Sequence, residues 1–251
     1  MSARRTHSTD DPLPATTEGK PKASARALAH ILERSTRIQG PAATAYVERL
    51  RRANPGAAPA VIISKLEKRY LAAVTASGAA VGSAAVLPGI GTLAVLSAAA
   101  GETAVFLEAT AFFALATAAV HGVPVENRER RRALVLAVLV GDDSKQAIGE
   151  LIGSRRTNGA WLSQGVASLP MPALSQLNSR LLKRAVRKYT LRRGALLLGK
   201  MLPIGIGAII GAIGNRLVGK KIVRNTRKAF GTSPARWPVT LHLLPTVHDA
   251  G

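Results

Sequence analysis

The sequence predicts an all-α fold, a compact multi-helix bundle built from Gly/Ala-rich apolar helices. Three features carry this expectation. Apolar residues make up 47% of the chain and aromatics only 4%, and the apolar share is rich in Ala, Val and Leu, which favours close helix packing over a β-sandwich. In several segments the apolar residues recur every three or four positions, the period of one helix face. Gly and Pro punctuate the chain between those segments. At 251 residues the chain is long enough to bury one sizeable core.

Residues 1–24, with Arg4, Arg5, Pro12, Pro14 and Pro21, read as a disordered tail without the apolar run of a secretory signal. Residues 25–59 read as an N-terminal helical segment. One helix, over about Ser24 to Gln39, ends at Gly40-Pro41, and a second passes through Tyr46, Val47 and Leu50 to the turn Asn54-Pro55-Gly56. The core is expected over 60–230. It opens with an amphipathic helix in which Ile62, Leu66, Tyr70 and Val74 recur every four residues opposite Lys65, Lys68 and Arg69. That helix feeds an apolar block, Leu71 to Val120, whose only charges are Glu102 and Glu108. Leu87-Pro88-Gly89-Ile90-Gly91 divides the block into a helical hairpin.

A short apolar helix is expected over Arg131 to Val140, and Asp143 to Gln146 has the spacing of a capping box for the next. Arg155 to Pro172 reads as a loop carrying Trp161. Leu174, Leu177, Leu181, Ala185 and Tyr189 then form one stripe of a helix whose other faces carry Arg180, Lys183, Arg184, Arg187 and Lys188. A second apolar block, Gly194 to Gly214, has Lys200 as its only charge and is followed by a basic segment, Arg216 to Lys228. Pro234, Pro238 and Pro245 make 231–251 an irregular tail.

The net charge of +21 is unevenly placed. No Asp or Glu occurs between Leu151 and His248, a stretch that holds 17 Lys and Arg. Basic residues beside apolar helices suit anionic lipid headgroups, so the expected working surface is an anionic membrane on its cytoplasmic side. The residues expected to bind it are Lys183, Arg184, Arg187, Lys188, Arg192, Arg193, Lys220, Lys221, Arg224, Arg227 and Lys228. Nucleic acid is the competing partner, although Tyr189 is the only aromatic residue between Pro170 and Ala229 available to stack on a base.

The first apolar block is marginal as a membrane span, and the second is better. Central Leu, Ile, Val and Phe contribute roughly −0.3 to −0.6 kcal/mol each, and Glu102 or Glu108 would erase much of the gain in the first block. The second block is richer in Leu and Ile, with Pro203 as a kink. Gly207, Gly211 and Gly214 offer a small-residue face for helix packing or for self-association of two copies. Embedding and peripheral association both remain open, as does a soluble core in which Glu102 and Glu108 are buried acids paired with Arg.

Several chemistries are disfavoured. Without Cys there is no disulfide, thiolate metal site or cysteine nucleophile. Gly194 to Met201 and Gly214 to Lys221 mimic a phosphate-binding loop but lack the closing Ser or Thr. The spacing of Gly205, Gly207 and Gly211 lacks the acidic residue that a dinucleotide site places about 20 positions on. The five His residues, His7, His30, His121, His242 and His248, are isolated from one another along the chain, so no metal site is expected. No catalytic residue, cofactor or metal is assigned, and a non-enzymatic protein is expected.

Four features resemble the EcsC family of bacterial proteins. They are the glycine-rich stretch from Ser77-Gly78 to Gly91, the acid-bearing apolar helix with Glu102, His121-Gly122 ahead of an Arg-containing helix, and Lys200 to Pro203 followed by Gly211 and Asn215. The resemblance covers roughly 60–230. It implies a helical protein without an established enzymatic activity. Asp is usual in that family where Glu102 stands here, so the resemblance assigns that carboxylate no role.

Overall fold

The computed structural model describes residues 30, 39–84, 92–152, 162, 165–166, 169–199 and 206–238. Every regular element among them is a helix. They are α1 (39–52), α2 (Pro59–Ala84), α3 (Thr92–Val120), α4 (Arg128–Val140), α5 (Asp142–Ile152), α6 (Met171–Gly199) and α7 (Ile206–Phe230). Side chains of 81–84, 92–100, 189–199 and 206–208, and that of Ile210, lie outside the description, as do the expected tail 1–24, the Leu87-to-Gly91 divider and Trp161.

The short helix α4 is the axis, packing against α3, α5, α6 and α7. Its residues Ala133 to Val140 are all buried, as a helix apolar on every face must be. Asn127 caps its start, its side chain accepting from the Arg130 N–H at 3.1 Å. Gly141, at φ +76, ends it. Buried at this terminus, the last carbonyls need donors. Ala137 O accepts from the Gly141 N–H (2.8 Å) and Ser144 Oγ (3.0 Å), Val138 O from Asn225 Nδ2 (3.0 Å), and Val140 O from Lys188 Nζ. At the other end the buried Arg131 donates to the carbonyls of Val125 and Glu126 at 2.7 and 2.6 Å. Burial pulls its guanidinium below the usual arginine range, opposed by the charge of Glu126.

The expected stripe Ile62, Leu66, Tyr70 and Val74 is buried, and α2 packs against both α3 and α7. Tyr70 stacks on Phe113 with ring centroids 4.7 Å apart and shares a 2.9 Å hydrogen bond with Thr110. The α2–α7 crossing is antiparallel, pairing Gly78 with Gly211 and Glu67 with Arg227.

Three local expectations are corrected. Gly40-Pro41 does not end a helix but lies within α1, whose described part begins at residue 39. Asp143 is not a capping residue, because α5 already begins at Asp142 and Ser144 Oγ turns back to the carbonyls of Ala137 and Gly141. The expected loop before Pro172 contains helical residues at 162 and 165–166, with Leu162 and Val166 buried. The block Gly194 to Gly214 falls partly at the end of α6 and partly at the start of α7, with residues 200–205 outside the description.

The core also draws on both flanking segments. Ala43, Val47 and Leu50 of α1 belong to the central cluster, and Trp237 packs against it. Trp237 Nε1 donates to the Ala57 carbonyl at 3.0 Å, and Arg51 stacks over its ring. The irregular stretch 231–238 is thereby strapped across the α1–α2 turn.

Candidate membrane interface

Helix α7 has two unlike faces. Gly211, Gly219, Ile222 and Val223 are buried, whereas Ile209, Ile213 and Leu217 are 61%, 53% and 60% exposed. At 100° per residue the exposed three share an arc of about 100° with Arg216, Lys220 and Arg224, all exposed. One helix face is therefore apolar along its first half and cationic along its second.

The neighbouring helices continue the apolar half. Because α2 runs antiparallel to both α3 and α7, the end of α2 and the starts of α3 and α7 share one end of the bundle. The sequence carries no charge from Leu71 to Gly101 or from Met201 to Asn215. The charge-free length is about 20 Å along α2 and about 14 Å along α7. Ala72, Ala73, Ala76 and Ala80 form the outer surface of α2 there, with Val105 exposed on α3. Lys68, Arg69 and Arg216 stand where charge resumes.

The expected anion-binding residues divide into those with internal work and those without. Lys188 donates to the end of α4 and lies 3.8 Å from Asp143; Arg184 donates to the Asp143 carbonyl at 2.5 Å. These two cations of α6 offset the negative pole of α4, as a helix C-terminus favours. Arg227 is held by Glu67, and Lys228 meets Asp142 in a well-exposed pair, so all four also make contacts within the chain. Lys183, Arg187, Lys220 and Arg224 are exposed and Lys221 half-buried, while the side chains of Arg192 and Arg193 lie outside the description.

Of the two acids, Glu102 is buried and engaged. Glu108 is exposed, a correction that follows from the two residues lying on different helix faces. Gly211 packs directly on Gly78 of its own chain, so a second copy cannot use it. Gly214 faces open space within the chain, since a Cβ there would meet nothing within 4 Å. Gly207 lies in α7 with its surroundings outside the description.

One described stretch, Gly101–Val120, is long and apolar enough to cross a membrane, but most of it is buried inside the protein. Its apolar surface is used by α2 and α4.

The buried acid that sequence reasoning missed is Glu67. Arg227 grips it through two nitrogens, Nε at 2.7 Å and Nη2 at 2.5 Å, and this hydrogen bonding raises the guanidinium's affinity for its proton. His121, at the close of α3, packs at a tilt against Phe230 with centroids 5.1 Å apart, and burial pulls its imidazole down to about 4. Among the described residues no group of three or more His, Cys, Asp or Glu is placed to hold a metal ion.

Comparison with family models, with curated proteins and with solved structures gives no match. The likeness to the EcsC family therefore rests on the residue pattern alone.

Proposed function

We propose that this chain is a non-enzymatic, membrane-associated protein that seats its charge-free end in one leaflet of an anionic membrane. Arg216, Lys220 and Arg224 would then lie among the headgroups on the cytoplasmic side. The observation that carries the reading is the single face of α7, where Ile209, Ile213 and Leu217 stand exposed in line with those cations. The dimensions agree with one leaflet, since half of a hydrocarbon core is about 15 Å thick. Peripheral insertion also accounts for α3, whose apolar surface is committed to protein neighbours.

The energies are adequate. Full burial of a Leu or Ile side chain is worth about 1.5–3 kcal/mol, so three that are roughly half covered contribute about 4 kcal/mol. Three basic residues near an anionic surface add about 1 kcal/mol each.

Vesicle flotation of the full chain tests the proposal, with Ile209→Ser/Ile213→Ser/Leu217→Ser and Arg216→Glu/Lys220→Glu/Arg224→Glu as the variants. The apolar variant should lose binding to all vesicles, and the charge variant only to those containing phosphatidylglycerol. Intact protein that ignores vesicles but binds duplex DNA with a steep salt dependence would replace this reading with nucleic-acid binding.

A further inference from the structure

At the end of α2 remote from the proposed membrane surface, a cleft of about 510 Å³ opens between the start of α2, the close of α3 and the close of α7. It is roughly 20 Å along α2 from Gly78. Ala60 and Ile63 supply its accessible apolar wall over the buried Phe230, and Glu67, His121, Arg227 and Lys228 supply its ionisable groups. This combination, an apolar chamber with a few convergent polar groups, is how small-molecule sites are built.

The pairing of the polar groups leaves donor capacity facing the cleft. Glu67 is buried, and Arg227, whose side chain is 67% exposed, is fixed on it by two parallel hydrogen bonds. A guanidinium pinned through Nε and Nη2 keeps Nη1 as a pre-oriented donor, so its later engagement costs little ordering. The nitrogens of His121 make no hydrogen bond among the described residues, and its ring packs at a tilt against Phe230.

The charge balance sets the ligand class. Glu67 cancels Arg227, His121 is neutral at physiological pH because burial holds it at about 4, and Lys228 is left over. Lys228 reaches Asp142 at 3.2 Å, but both side chains are well exposed, and such pairs are worth little. The end of α7 opposes an anion with roughly half an elementary charge, less than the surplus. A monoanion is the complement.

We propose that this cleft binds a small carboxylate with an aromatic or branched apolar body, its charge on Arg227 and Lys228 and its body against Ala60, Ile63 and His121. The site is independent of the membrane surface, and the two can fail separately.

The test uses the full chain with 3-phenylpropionate and its uncharged amide as probes, read by calorimetry and by the ring resonances of His121. The acid should bind and shift those resonances, and the amide should bind at least about tenfold more weakly, the worth of one charged hydrogen bond. Lys228→Gln should weaken the acid severalfold. Ala60→Phe, at an exposed wall position, should abolish binding while leaving the helical circular dichroism and the membrane flotation intact. Equal affinity for acid and amide, acid binding without movement of His121, full affinity in Ala60→Phe, or no binding at millimolar concentration would each overturn the proposal.

Discussion

Substituting Gly78 with Ala adds one methyl group at the tightest point of the bundle. A Cβ there would lie 2.8 Å from the carbonyl carbon of Gly211, closer still to its oxygen, and 2.8 Å from Asn215 Nδ2. The obstacle is backbone, so no rotamer change relieves it, and α2 and α7 must separate by several tenths of an ångström. Such overpacking costs about 1–3 kcal/mol, and the better helix propensity of Ala returns at most about 1 kcal/mol. The net expectation for Gly78→Ala is a loss of about 1–2 kcal/mol, and Gly78→Val should cost more. Gly211→Ala meets Gly78 from the other side, so once one substitution has parted the helices the second has less to overcome. The double variant should fall short of the sum. Gly214→Ala is the control. It lies on the same helix with nothing near, and it should stabilise by about 0.5–1 kcal/mol. Urea unfolding followed by circular dichroism measures all four. Stabilisation by Gly78→Ala equal to that of Gly214→Ala would refute the close crossing.

Three further outcomes follow from the interior. His121 is held neutral down to about pH 4 in the fold against an ordinary 6.5. The unfolded chain therefore binds the extra proton between those values. Stability should be complete above pH 6.5 and fall by up to about 3 kcal/mol as pH drops toward 4, and His121→Phe should remove that share of the slope in pH-dependent unfolding. Asn225→Leu leaves the Val138 carbonyl unpaired at the end of α4 and should cost about 1–3 kcal/mol in urea midpoint, whereas Arg224→Leu should cost little. Arg131→Met strips the donors from the Val125 and Glu126 carbonyls and should cost about 2–4 kcal/mol in the same assay.

The all-α bundle, the stripe of α2 and the apolar run of α4 were legible because each is a local pattern of period near 3.6. The uses of the basic residues were not. Arg184 and Lys188 look like part of a solvated cationic face until the end of α4, more than 40 positions earlier, is brought beside them. Gly211 and Gly214 look alike in sequence, but they point about 60° apart on a helix, and only one faces α2. Glu67 sits among Lys65, Lys68 and Arg69 and reads as part of a charged face. Its neighbours Ile63, Leu66 and Tyr70 show that it borders the apolar stripe, which is the signal that could have found it.

The absence of Cys allows a single introduced thiol to carry a spin label at one chosen site. The most direct test of membrane seating compares labels at Ile213→Cys and Lys183→Cys on vesicles containing phosphatidylglycerol, read by collision with oxygen and with a water-soluble nickel complex. Seating predicts that the label at 213 loses nickel and gains oxygen on adding vesicles, while the label at 183 stays accessible to nickel. Unchanged nickel access at 213 on vesicles that demonstrably carry the protein would contradict it.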